Sequence, residues 1–169
     1  MPLRFHSLDN GAEKTLMDTV GGGGGARLGL PGDDGIDSYT SNCALISAEV
    51  IEIEYPWRIR ASELVPDSGG AGRWRGGNAV RRDYELLAET ASGRVACEQR
   101  TPAHAAQGFA GGGAGSPASV AVRRGAAPWR EVGVEESSIT LVRGDIVRMT
   151  AAGGGGYGEV EPTEREGTT

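Results

Sequence analysis

The stretch Asp67–Glu89, DSGGAGRWRGGNAVRRDYELLAE, changes character halfway along. Its first half sets five glycines around Arg73, Trp74 and Arg75. Its second half alternates through Val80, Tyr84 and Leu86, the period of a strand with one buried face. A glycine block giving way to a short β-like run recurs along the chain, and that recurrence decides the fold class.

Downstream, GRVACEQR (93–100), ASVAVRR (118–124) and SSITLVRGDIVRMT (137–150) are further β-like runs, separated by Gly, Ser or Pro. Upstream, EVIEIEYPWRIR (49–60) places Ile51, Ile53, Tyr55, Trp57 and Ile59 in alternation with polar residues or proline. It reads as one strand, demoted to an edge or a bulge by Pro56, or as a short helical turn in SAEVIE with the strand starting after Pro56. Both readings stand on sequence. No long amphipathic helix is present, so the expected fold is mainly β: a glycine-rich β-sandwich or barrel-like unit with few short helices. Residues 1–20 hold no clear period and read as a lead-in. Residues 21–158 form the main unit, and 159–169, EVEPTEREGTT, form an acidic tail expected to be flexible.

The composition bounds the function. Glycine is 29 of 169 residues, about 17% against a usual ~7%, whereas Leu, Ile, Val and Phe together reach only about 18%. With a net charge of −6 the chain is expected to fold around a thin core and to lean on a partner. The acidic balance argues against nucleic-acid binding, which draws on a basic surface. No segment approaches a membrane span, and Cys43 and Cys97 form neither a disulfide framework nor a metal-ligand pair; a cytoplasmic protein is expected.

Each candidate chemistry has a plainer competitor. The glycine clusters read first as tight turns that need positive φ. GGGGYG (153–158) contains G-x-G-x-x-G, but no helix opens after it and no Gly-Lys-Ser/Thr follows, so a phosphate loop fails on context. His6 and His104 have no second ligand at metal spacing, and Asp33, Asp34 and Asp37 read as solvated turn acids. No metal or cofactor site is expected in this chain alone. Ser68 in DSGG has no histidine in a matching motif to activate it. Arg73 and Arg75 flank Trp74, so in an extended strand both would face one way and Trp74 the other. Trp74 could then anchor in the core while the guanidiniums meet a carboxylate or phosphate, with Asp67 and Glu49 as alternative, purely structural partners.

Taken in order, GGGGGARLGLPGDDGID (21–37), Ser41-Asn42 with AEVIEIEYP (48–56), DSGGAGRWRGGNAVRRDYEL (67–86), GFAGGGAG (108–115) and RGDIVRMTAAGGGGYGE (143–159) resemble the C-terminal region of the hydantoinase B/oxoprolinase family. The likeness makes 21–158 a hydantoinase B C-terminal-like domain. Ala48 and Ala152 stand where the family pattern carries proline, and Glu159-Val160 where it carries Asp-Pro. The resemblance implies ATP-dependent opening of a cyclic amide such as a hydantoin or 5-oxoproline. A sister branch carboxylates ketones such as acetone or acetophenone. It also implies that ATP and a divalent metal lie in partner chains, namely a hydantoinase A-type subunit and the N-terminal portion of a B-type chain. Asn42, Glu49, Asp67, Ser68, Arg73 and Arg75 then become candidates for the site wall or its support, with the bare glycine backbone offering N–H donors to an anion. A non-catalytic β-rich scaffold module is the competing expectation.

Overall fold

A computed structural model describes residues 1–9, 11–37, 43–97, 99–136 and 138–160. Candidate Asn42 and most of the acidic tail lie outside the described residues.

Two antiparallel sheets form a sandwich. The first has strand order β2-β1-β5-β8, from β1 (Pro2–Asp9), β2 (Ala12–Thr19), β5 (Thr90–Val95) and β8 (Ile139–Val142). The second has order β3-β4-β9-β6-β7, from β3 (Trp57–Leu64), β4 (Val80–Leu86), β6 (Ser119–Arg123), β7 (Arg130–Glu131) and β9 (Ile146–Thr150). Neither sheet closes on itself, so of the two expected architectures the open sandwich is the one formed. Residues 1–20, read as a lead-in, are the β1–β2 hairpin and half of the first sheet. Their alternation escapes a reading by hydrophobicity because two inward positions are polar: Ser7 follows Leu3 and Phe5, and Asp18 follows Leu16.

For 49–60 the helical alternative holds. Ser47 accepts the Val50 N–H at 3.3 Å and caps α1 (Ala48–Glu54), and β3 begins after Pro56. Only Ile51 of that helix is buried, which a helix of about two turns on a sandwich surface allows. Trp57, at the start of β3, meets Phe5 across the sandwich at 5.2 Å between ring centroids. Val80, Tyr84, Leu86, Val120, Val122, Val147 and Met149 complete one wall of the core.

A buried polar knot also joins the sheets. Asp18 Oδ2 accepts from Arg82 Nη1 at 2.7 Å and from the Tyr84 hydroxyl at 2.8 Å. Asp18 Oδ1 takes the Thr19 and Ile46 N–H groups at 2.9 and 3.3 Å. Burial, and then the Asp18 charge, hold the Tyr84 hydroxyl well above the ordinary tyrosine range.

The glycine blocks build a second structure beside the sandwich. Ala151, Gly154 and Tyr157 donate to the carbonyls of Val80, Gly77 and Trp74 at 3.0, 3.0 and 2.9 Å. Gly153 and Gly156 donate to Ser116 and Gly113 at 3.0 and 2.9 Å, and Gly32 and Gly35 to Arg75 and Asn78 at 2.8 and 2.9 Å. Gly23 and Ala26 donate to Ala152 and Gly155, both at 2.9 Å. Each ladder advances by three residues on both sides, the period of extended polyproline II-type helices, which bond only to neighbours. The run 151–158 lies at the centre of the bundle, and its residues 151–156 are buried.

This overturns the turn reading for the longer glycine runs, whereas Gly29, Gly35, Gly111 and Gly158 do sit at positive φ. Gly21–Gly24, Gly69–Gly77 and Gly153–Gly156 hold no positive φ. They are glycine because runs packed backbone to backbone leave no room for a side chain. A methyl at Gly23, Gly76, Gly77, Gly153 or Gly154 would overlap a carbonyl of the next run.

Candidate functional site

The sequence candidates sit on this bundle and its margins. Ser68 is buried; its hydroxyl donates to the Val65 carbonyl at 2.7 Å and accepts the Ala79 N–H at 2.8 Å. Both hydrogen-bonding roles are spent tying two runs together. Asp67 precedes it, exposed and at φ 57. Glu49 lies apart from the bundle runs, exposed in the first turn of α1.

Arg73 and Arg75 do not share a face as they would in a strand. Their run has a period of three, so consecutive side chains leave in three directions. Arg73 lies over the Trp74 ring at 5.1 Å. Arg75 turns to Asp34, donating from Nη1 and Nη2 at 2.8 and 3.1 Å. Asp34 also takes the Asn78 N–H at 2.7 Å, and the Asn78 carboxamide takes the Gly69 N–H at 3.2 Å. The Arg75 hydrogen bonds, then the Asn78 N–H, hold the Asp34 carboxyl below the usual aspartate value. Asp34 thus takes the structural role offered to Asp67 and Glu49, and it is more than a solvated turn acid. Nothing local in the sequence announces it, because 41 residues separate it from Arg75.

Trp74 is half-buried at the surface and does not anchor in the core. It meets Tyr157 at 5.7 Å, and Tyr157 meets Phe109 at 5.7 Å. With Arg73 these rings form an aromatic and cationic end to the bundle.

Sequence reasoning missed a cleft of about 580 Å3 between the N-terminal hairpin and the bundle, floored by Gly22–Gly24 and lined by Ile36, Asp37, Cys97 and Gln99. A volume in the small-molecule range, with a carboxylate, a thiol and a carboxamide at its wall, can accept a small polar ring. None of the described sequence candidates lines it.

The fit of the implied cofactors to this chain is poor. Among the described residues no three His, Cys, Asp or Glu side chains converge as a metal requires. His6 is engaged with Thr15 at 2.8 Å, and His104 with Thr101 at 2.8 Å. The N–H groups of Gly153, Gly154, Gly156, Tyr157 and Gly158 donate to neighbouring runs, so this glycine run is no phosphate cradle. No reaction step is therefore assigned to a metal or nucleotide held by these residues. Among the described residues no helix is long and apolar enough to cross a membrane.

A sandwich fused to a buried glycine bundle, with a small cleft between them, is a fold with solved counterparts. The sequence matches Hydantoinase B/oxoprolinase over residues 2–160, and the chain belongs to that family. The 5-oxoprolinase of Dictyostelium discoideum is 25% identical over 142 residues, covering 84% of this chain and 11% of that protein. The crystal structure of the ATP-dependent caprolactamase from Pseudomonas jessenii superposes with a TM-score of 0.77 at 24% identity, covering 94% of this chain and 28% of that one. A nucleotide-free acetone carboxylase superposes at 0.75 with 15% identity, covering 93% and 25%. These two likenesses are of fold. The chain spans 12%, 26% and 11% of the length of three curated relatives it matches, so it corresponds to one part of larger proteins.

Proposed function

We propose that this chain forms part of the wall of an ATP-dependent cyclic-amide hydrolase of the hydantoinase/5-oxoprolinase type. It acts in a complex with an A-type subunit and the remaining B-type portion, which hold ATP and a divalent metal, in the cytoplasm. The observation that carries this reading is the family match across residues 2–160, joined to a 5-oxoprolinase among the relatives.

Within that reading the chain's residues divide by what holds them. Ser68, Asp34 and Asn78 lock the glycine runs. Arg75, fixed by Asp34, is a positioned cation at the rim. Arg73, spread on Trp74, is proposed to meet the negative charge that develops as the ring opens. Asn42, Glu49 and Asp67 enter as wall candidates on the family resemblance alone. The acetone carboxylase likeness supports a second reading, ATP-dependent carboxylation of a ketone, in the same assembly.

The test is kinetic. Arg73→Ala in the reconstituted complex lowers turnover by at least about 100-fold, the scale of losing one charge-stabilising donor, while assembly persists. Unchanged turnover overturns the role of Arg73. Activity with acetone and bicarbonate, but none with 5-oxoproline, selects the carboxylase reading.

A further inference from the structure

One glycine of the bundle has no reason among the described residues to be glycine. Every other glycine of the bundle runs without a positive φ, from Gly21–Gly24 to Gly153–Gly156, would bring a Cβ within 3.3 Å of a neighbouring backbone atom, while Gly35 and Gly158 sit at positive φ against side chains. Gly25 would meet nothing within 4 Å, and its φ is not positive. It is exposed, and its own N–H and C=O make no hydrogen bond to any described residue. Gly133 also faces open space, but it opens a turn in which the Glu136 N–H returns to its carbonyl at 3.1 Å. Gly25 belongs to a run whose next residue, Ala26, is already pinned to Gly155 at 2.9 Å, so it is not a loose loop.

The residues beside it add a second observation. Arg27 and Leu30 exchange both backbone hydrogen bonds at 3.0 Å, making a tight tip through Gly29 at φ 84. That tip holds Leu28 and Leu30 outward at 71% and 49% exposure. A rigid tip with two leucines in water, next to backbone kept bare, is a surface built for contact. Across this bundle the neighbour that demands glycine is mostly the backbone of another run. The relatives supply the length for one, since 72% of the superposed caprolactamase chain lies outside the region this chain covers.

We infer that Gly25–Leu30 is a docking edge that receives an extended backbone segment from the part of the family's larger B-type fold outside residues 1–169. The segment runs against Gly25 as the runs of the bundle lie against each other, and its apolar side chains cover Leu28 and Leu30. The inference rests on the proposal that this chain works with the remaining B-type portion.

The test uses the full chain, tagged and purified from its own cells, as wild type, Gly25→Leu and Leu28→Asp. Native mass spectrometry reads the assembly, and peptide mapping identifies what is bound. The expected result is a wild-type complex containing the remaining B-type region, weakened at least about tenfold by each variant, with melting temperatures unchanged because neither side chain touches this chain's interior. A wild-type complex kept intact by both variants overturns the docking edge and leaves the proposed function standing. A wild-type chain bound only to itself overturns the inference in favour of self-association. A wild-type chain recovered alone overturns both the inference and the reading beneath it.

Discussion

Asp18 is the residue on which the two sheets meet. Its carboxylate is enclosed with Arg82, whose side chain is 3% exposed, so removing the charge leaves a guanidinium without its counter-ion in the core. Asp18→Asn therefore destabilises by about 3–5 kcal/mol, the range for breaking one side of a buried pair, and chemical denaturation measures it. Tyr84, whose hydroxyl pKa is raised by burial and by Asp18, gives a pH signature. Above about pH 10 the unfolded chain releases this proton and the folded chain keeps it, so folding stability falls as pH rises. The advantage of wild type over Tyr84→Phe then shrinks by about 1.4 kcal/mol per pH unit above pH 10, and melts between pH 8 and about pH 11 follow it. At the bundle, Arg75→Ala releases Asp34, whose carboxyl then titrates at a higher pH, a shift that NMR detects directly. This surface pair contributes at most about 1 kcal/mol to folding, so the variant keeps its fold.

At the scale of elements, strands and bundle differ in how far sequence shows them. The apolar alternation of β4, β6, β8 and β9 is plain because their inward positions are mostly Val, Ile, Leu, Met and Tyr, with Arg82 of β4 a polar exception. The β1–β2 hairpin is hidden by Ser7 and Asp18 at inward positions, and α1 is too short to establish a helical period. The bundle is opaque for a different reason. Threefold runs bury backbone instead of side chains, so no hydrophobic pattern reports them, and glycine clusters read equally as turns. The candidate site suffers from the same ambiguity: a strand-like period puts Arg73 and Arg75 on one face, and the threefold run separates them. Gly154 tests this account of the clusters, since its Cβ would overlap the Gly24 carbonyl on a neighbouring run. Gly154→Ala destabilises by at least the ~1–3 kcal/mol of an overpacked core. A single site of this kind lowers the melting temperature by several degrees, whereas Gly25→Ala leaves it unchanged.

For the whole molecule, the sandwich supplies a conventional core and the bundle supplies a rigid plate of backbone beside it. Their junction holds the cleft floored by Gly22–Gly24. The plate carries the aromatic and arginine end at Trp74, Tyr157 and Arg73, and the bare edge at Gly25. A rigid plate with little side-chain chemistry of its own suits a wall that other chains complete. The family match spans nearly the whole chain, while the chain spans only a fraction of its longer relatives. The measurement that bears most directly on this account is ATP consumption by the complex recovered on this tagged chain, with and without 5-oxoproline, hydantoin or caprolactam. The account predicts ATP hydrolysis that depends on one of these cyclic amides and releases its ring-opened product. ATP hydrolysis indifferent to every cyclic amide, or no ATP hydrolysis by the intact complex, contradicts it.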